Sequence, residues 1–373
     1  MRIAYLSRGQ MPAPSASSLQ IMKNCEAFVH NGDPVTLVAV RAPGTRVPDA
    51  DVFAQYGVEP VFELHRIPVY PVRGQHHLHA LRGVLIARRF RADVVHGRCV
   101  WSCLMAARTG FPVGIEVHTL PNAGERATAA LLRLARHPNL RAIVVTSDRL
   151  RQDLVAAFPI AAASVVVAHN GAEPRARPDP VALPADLPNV GYVGRLYEGK
   201  GADLVVALAA RCPWARFHLV GGTREEIERW RPRVAGLANV HFHEFVPHAQ
   251  GLRYLDACDV MLVPYEESVE VHGGATQSGR WMAPIKLFEC MAAGKPVIAS
   301  DLPVAREVLV EGETGFLCPP GDVDRWEATL GTLARSPELR ARVGENARRV
   351  LAERFTWSAR ARLIRRALAG VGG

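Results

Sequence analysis

The chain has 373 residues, 49% of them apolar and 22% charged, an ordinary globular composition and too long for a single core. No apolar run reaches the roughly 18 residues that a membrane-spanning helix needs, and seven cysteines without a tight CxxC pair argue against a disulfide framework or a zinc site. The formal charge of +9 comes from 45 Lys and Arg against 36 Asp and Glu, and only four of the 45 are lysines: Lys23, Lys200, Lys286 and Lys295.

In chain order, "MRIAYLSRGQ" enters an apolar run at once and soon turns polar, which reads as a first β-strand rather than a signal peptide. A cytoplasmic protein is expected. Further strands are expected at 34–40, 92–97, 112–118, 142–147 and 164–170, after the first at 2–7. These runs are nearly continuously apolar and end in a polar or glycine residue, as buried parallel strands do. Helix-like segments alternate with them, the pattern of a parallel α/β sheet.

The segment from Glu63 to Asp93 holds no acidic residue between those two, yet carries Arg66, Arg73, Arg82, Arg88, Arg89 and Arg91 with His65, His76, His77 and His79. Within it "LHALRGVLIARRFRA" forms a helix with an apolar face and an arginine-lined one. Two readings stand: a surface helix packing one face on a sheet, the common fate of amphipathic helices, or a strip lying on an anionic membrane.

Residues 1–172 are thus expected to form an N-terminal Rossmann-like domain. The stretch 171–188 has five prolines and no periodicity, so a linker is assigned to 173–188. A second alternation follows, with strands at 189–195, 216–222, 240–245, 259–265, 296–301 and 315–321. It gives a C-terminal Rossmann-like domain over 189–352, facing the first across a cleft, and a basic terminal helix over 353–373. Neither half carries G-x-G-x-x-G or G-x-x-x-x-G-K-[ST], so a nicotinamide dehydrogenase and a P-loop NTPase are disfavoured.

Two of the scarce lysines fall in "WMAPIKLFECMAAGKPVIASD" (281–301). Pro284 suits the first position of a helix and Gly294 its end. That helix start offers free N–H groups and a positive dipole end, an anion site, while Lys286 in the first turn opposes the dipole unless an anion lies near. Glu289 shares its face and suits paired hydroxyls such as those of a ribose. Alone, the pair could equally be an exposed helix ion pair. "VGRLYEGKGADL" (193–204) tilts the balance: Gly194, Gly199 and Gly201 let the loop bend, and Arg195 and Lys200 project two cations from a strand–helix turn, as a diphosphate site needs.

The motifs "GRLYEGKG", "VGG", "EFVPHAQGLRYLDACDVMLVPY", "APIKLFECMAAGKPVIASDLPVAREVL" and "GETGFLCPPGD" resemble the C-terminal half of GT-B-fold retaining glycosyltransferases of the large family four. "SASSLQIMKNCEAF", "VTLVAV", "DVVHGR", "EVH", "VVTSDRLRQDL" and "VAHNGAE" resemble its N-terminal half in the same order. The resemblance implies that Arg195 and Lys200 hold the diphosphate of a sugar nucleotide, UDP- or GDP-linked, and that Glu289 contacts the ribose. It places Ala283, Pro284, Ile285 and Lys286 toward the sugar and phosphates, counts Gly194 and Gly222 among the donor-binding residues, and stacks the base near Val246 and Pro247. His118 matches a histidine at the donor-sugar edge, and the terminal helix over 353–373 is implied to return to the N-terminal domain. No metal or cofactor is implied.

One position departs from the pattern: Trp281 stands where the family usually has the first glutamate of its E-x7-E motif. Relatives that write S-P-x-K-x-F-E make "APIKLFE" a subfamily variant. The stretch 266–280 is expected to be a mobile loop in which Glu270 could supply the missing contact. The D-x-D spellings at 49–51 and 322–324 read better as helix starts, Asp322 as a cap. The histidines at 76, 77 and 79 lack a nearby acidic or cysteine ligand. Expected, then, is a metal-independent, retaining transfer of a sugar to a lipid-linked or polysaccharide acceptor, at or near the inner face of a membrane. A non-catalytic GT-B binding protein and a GT-B sugar-nucleotide epimerase are the alternatives.

Overall fold

The computed structural model describes residues 1–41, 44, 47–68, 74–174, 179–270 and 276–370, with only the backbone of 270 and 276–278. The chain divides into two compact units, Met1–His169 together with Trp357–Gly373, and Asn170–Thr356.

The first unit is built on β1 (Ile3–Met11), β2 (Val35–Arg41), β3 (Glu63–Ile67), β4 (Val94–Gly97), β5 (Val113–Val117), β6 (Leu140–Val145) and β7 (Val165–Val167). All neighbours pair in parallel, in the order β3-β2-β1-β4-β5-β6-β7. The connections carry α1 (Ala16–His30), α2 (Asp49–Tyr56), α3 (Gln75–Arg89), α4 (Val100–Arg108), α5 (Arg126–Ala135) and α6 (Asp148–Ala157). Strand β3 lies outside the strands expected from the sequence. It is an edge strand, "ELHRI", with only Ile67 fully buried, so it never needed the continuous apolar run that marks the inner strands.

Helix α3 buries His79, Ala80, Gly83, Val84 and Ala87, and Leu6 of β1 lies against Gly83. The opposite face leaves Leu78, Leu81 and Leu85 exposed at 46%, 48% and 49%, beside exposed Arg82, Arg88 and Arg89. Packing on the sheet is therefore one face of this helix, and the leucine–arginine face is the other. Arg73 of the same basic segment lies outside the described residues.

The second unit runs β8 (Asn189–Val193), α7 (Ala202–Arg211), β9 (Arg216–Gly222), α8 (Arg224–Trp230), β10 (Val240–Glu244), α9 (His248–Ala257) and β11 (Val260–Val263). A hairpin of β12 (Ser268–Glu270) and β13 (Thr276–Ser278) follows, then α10 (Ile285–Ala292), β14 (Val297–Ser300), α11 (Pro303–Arg306), β15 (Phe316–Cys318), α12 (Val323–Arg335) and α13 (Pro337–Arg354). Its sheet order is β10-β9-β8-β11-β14-β15, again all parallel. Both faces are covered: Met261, Val263, Val297 and Ala299 enter one core with Phe288 and Met291, while Val260, Leu262 and Ile298 enter the other with Phe217 and Trp326. Alternate residues pointing to two buried faces explain why these strands read as unbroken apolar runs.

Two expectations change here and one boundary moves. The stretch 266–280 contains an antiparallel hairpin with Ser268 opposite Ser278, and the side chain of Glu270 lies outside the described residues. The proline-rich 173–188 stretch belongs to the second unit where it is described: Asp179 N–H donates to the Asp256 carboxylate at 2.9 Å, Pro184 O accepts from Asn189 Nδ2 at 2.9 Å, and Leu183 packs on the core. The terminal helix α14 (Trp357–Leu368) does belong to the first unit, as expected, but it starts later than residue 353, because α13 runs to Arg354 in the second unit. There Trp357, Ala361, Ile364 and Leu368 are buried, and Arg365 pairs with buried Asp33 at 2.9 Å.

In each sheet the strand order reverses between the first and fourth strands, β1/β4 and β8/β11. Loops leaving the C-terminal ends there are drawn apart, which is where open α/β sheets bind ligands.

Candidate functional site

The motif loops of the second unit leave its sheet at this reversal. After β8, Gly194 N–H donates to Val220 O of β9 at 2.7 Å, and the backbone takes φ +151 with Lys286 Nζ packed against the glycine. A side chain at 194 would occupy the space of that ammonium. Gly201, at φ +81, brings the loop against Pro264 O just beyond β11, and Gly199 O accepts from Glu266 N–H at 2.8 Å. Gly222 at the end of β9 lies against Leu196 and Ile227.

Lys286 sits in the first turn of α10, with Pro284 as N-cap rather than first helical residue. Its Nζ is 4.3 Å from the Tyr192 ring centre and 5.0 Å from that of Tyr265. It is buried and has no hydrogen-bond partner among the described residues. Burial, and then the charge of Lys200, push its pKa down to about 7. A buried ammonium at the positive end of a helix is costly on both counts. A partner anion removes both penalties.

Lys200 Nζ stands 4.9 Å from the Tyr197 ring centre and the Arg195 guanidinium 4.8 Å from it, so the structure brings Arg195, Lys200 and Lys286 into one region. Arg195 is not an uncompensated cation, however. Its Nε donates to both Glu226 oxygens at 3.2 Å. Glu226 also closes the capping box of α8 with Thr223; burial works to raise its pKa, but the bond from Arg195 holds it below the usual range. Arg195 thus carries an acidic partner, whereas Lys286 has no hydrogen-bond partner among the described residues. The cap itself is legible, because "TREE" spells the Thr-x-x-Glu of a capping box, but the pairing of its glutamate with Arg195 is not.

Glu289, one turn along α10, is held by His248 Nε2 at 2.6 Å, a partner not anticipated from the sequence. His248 is the first residue of α9, whose N-cap is exposed Pro247. Val246 is half-buried and near Gly251, which also lies near Val193 of β8, so this loop reaches the same sheet edge. Ala283 O accepts from Asn170 Nδ2 at 2.8 Å, and Ile285 is buried. Trp281 is half-buried just before this turn. Asp322 caps α12 through the Arg325 N–H at 3.0 Å, as expected, and Asp49 pairs with Arg66. All seven cysteines are buried and free.

In the first unit His118 follows β5, its Nε2 2.8 Å from Glu116 Oε2. Glu116 is fully buried and receives six hydrogen bonds, from Tyr5, Asn24 and His96 on Oε1 and from Gln20, His118 and Arg360 on Oε2. Burial alone would raise its pKa; Arg360 and the two histidines hold it well below the ordinary value. An ionised carboxylate only accepts, so His118 carries its proton on Nε2. Burial, then Arg98, push the His118 pKa down to about 4. Neither Glu116 nor Arg360 was singled out from the sequence. An apolar strand run hides a glutamate, and Arg360 lies 244 residues away.

Two Rossmann-like parallel-sheet units of this topology define the GT-B fold. Two family models match adjoining stretches: Glycosyltransferase Family 4 over residues 20–175 and Glycosyl transferases group 1 over residues 176–350. Together they mark the chain as a GT-B group 1 glycosyltransferase. Among relatives, an alpha-D-kanosaminyltransferase of Streptomyces kanamyceticus is 24% identical over 73% of this chain and 76% of its own length. A phosphatidyl-myo-inositol mannosyltransferase of Mycolicibacterium smegmatis is 32% identical over 51% of this chain and 47% of its own. The fold matches HepE of Anabaena solved with UDP, at TM-score 0.74 and 18% identity, over 99% of this chain and 100% of that one. Sucrose-phosphate synthase of Thermosynechococcus elongatus matches at TM-score 0.75 and 21% identity, over 100% and 99%.

Proposed function

We propose that this protein transfers a hexosyl group from a nucleoside-diphosphate sugar, UDP- or GDP-linked, to an acceptor, with retention and without a metal. The observation that carries this is the buried Lys286 ammonium, without a hydrogen-bond partner among the described residues and packed on Gly194 at the strand reversal of the second unit. Departure of the nucleotide puts charge on the diphosphate, and a pre-placed cation with the α10 N–H groups stabilises it as it grows. Lys200 adds a second cation, while Arg195, tied to Glu226, holds the loop that carries it. Glu289 and His248 receive the ribose hydroxyls. His118 takes the donor-sugar edge. A UDP-glucose complex of HepE, the similar fold, favours UDP, and retention rests on the resemblance to family four.

The test is a thermal-shift panel of nucleotide sugars against wild type and Lys286→Met, since a ligand binding only the native state raises its melting temperature. The wild type gains stability with one UDP- or GDP-sugar and the variant does not. Equal shifts in both proteins, or none in either, would refute the reading. Turnover of that sugar onto an acceptor, without epimerised product, distinguishes transfer from the alternatives.

The acceptor is proposed to be lipid-linked or a surface-polysaccharide intermediate, met at the inner face of a membrane. The exposed leucine stripe of α3 with its flanking arginines supports this, since apolar area and charge add in binding anionic lipid. Among the described residues no helix is long and apolar enough to cross a membrane. Flotation with anionic vesicles checks it: the double variant Leu81→Asp with Leu85→Asp is released, and a wild type that floats no better with anionic than with neutral vesicles overturns the idea.

A further inference from the structure

Arg360 lies in α14 and is only 4% exposed. Each of its nitrogens is engaged. Nη2 donates to Glu116 Oε2 at 2.9 Å, Nε to Asn24 Oδ1 at 3.1 Å, and Nη1 to Ala168 O and to His169 O. Asn24 returns a bond to Glu116 Oε1 at 3.0 Å. The guanidinium is therefore fixed to β5, α1 and the chain beyond β7 at once. The oxygen it bonds is the same one that accepts from His118 Nε2 at 2.8 Å.

We propose that Arg360 is a positioning residue for the glycosyl-transfer site: through Glu116 it fixes His118 as a neutral imidazole protonated on Nε2, so that its Nδ1 keeps a lone pair. This rests on His118 belonging to that site. The reason is charge balance around one buried carboxylate. Facing Glu116 are Tyr5 of β1, Gln20, Asn24 and Cys25 of α1, His96 of β4, Cys103 of α4, Arg98, His118 and Arg360. Arg98 donates to Gln20 at 3.2 Å rather than to the carboxylate, so Arg360 is the cation in contact with it. With Arg360 present the carboxylate is already neutralised and the imidazole needs no proton; the guanidinium also works directly against protonating His118. Without it the buried carboxylate must take a proton or draw one onto His118, because protonating His96 instead would bury an N–H at its Nδ1, which has no hydrogen-bond partner among the described residues. In the first case His118 loses its anionic acceptor and its tautomer is released; in the second it becomes imidazolium and Nδ1 gains a proton. Either outcome changes the group presented at Nδ1.

The experiment is nitrogen NMR of the His118 side chain in the full-length protein between pH 5 and 8, for wild type, Arg360→Met and Arg360→Lys. Wild type stays neutral and Nε2-protonated across this range. Arg360→Met shows a new His118 titration or a mixed tautomer, and its kcat gains a limb in the same pH window, falling ~10-fold or more on the order expected for loss of an orienting partner. Arg360→Lys, which keeps a cation, restores the wild-type profile in part. A His118 signal unchanged in a folded Arg360→Met protein overturns the proposal, and so does an imidazolium or an Nδ1-protonated ring in wild type near pH 7, a result that needs no variant to fold. Activity of His118→Ala is a separate arm: full turnover there sinks the role given to His118, while the NMR result still decides what Arg360 does.

Discussion

The two units hold their buried charges in opposite ways. Glu116 in the first is met by six donors, a contacting arginine among them, whereas Lys286 in the second has no hydrogen-bond partner among the described residues. A satisfied buried charge is costly to disturb and rigidifies its neighbours. An unsatisfied one destabilises the empty protein and is stabilised when a ligand supplies the counter-charge. The same ionic chemistry thus reads as positioning in one unit and as an anion site in the other.

The sharpest break of this contrast is exchanging each charge for a neutral side chain. Lys286→Met is expected to lower kcat/KM by roughly 10²–10³, yet to raise the stability of the ligand-free protein by about 1–3 kcal/mol, the cost of an unsatisfied buried group. Steady-state kinetics with urea unfolding checks both, and a destabilised apo variant would contradict the second half. Glu116→Gln goes the other way, losing about 3–5 kcal/mol because Arg360 is left uncompensated; an unfolding midpoint within error of wild type would count against it.

A smaller effect is set by pH. The Lys286 pKa is depressed to about 7 in the empty protein, so the ammonium is present below that value and lost above it. A bound diphosphate raises that pKa. Donor binding therefore takes up a proton near pH 7–8 and weakens as pH rises through this window; calorimetry in buffers of different ionisation enthalpy reads the uptake, and Lys286→Met abolishes it. Smaller still, His248→Ala removes one partner of Glu289 and is expected to change donor KM by less than about tenfold, the scale of one part-buried charge-assisted hydrogen bond.

Much of this was legible in the residues. The inner strands of both sheets announced themselves because each buries both faces, and the switch-point loops because glycine, lysine and a helix start converge there. The edge strand β3 did not, since an exposed edge carries no apolar signature. Pairing was also hidden: "GRLYEGKG" shows two cations in one loop, but only the fold shows that Glu226 neutralises Arg195 and leaves the unmet charge on Lys286.

What the sequence determined alone is the alternation of strands and helices, two units of one topology, and which short glycine loops set lysines at strand ends, because these follow from local periodicity and turn geometry. The tertiary structure decided the electrostatic state of each charge. Partners such as Glu116 and Arg360, 244 residues apart, are brought together by α14 packing on the first unit, and burial sets the strength of that pairing; neither distance nor burial is written in the local chain.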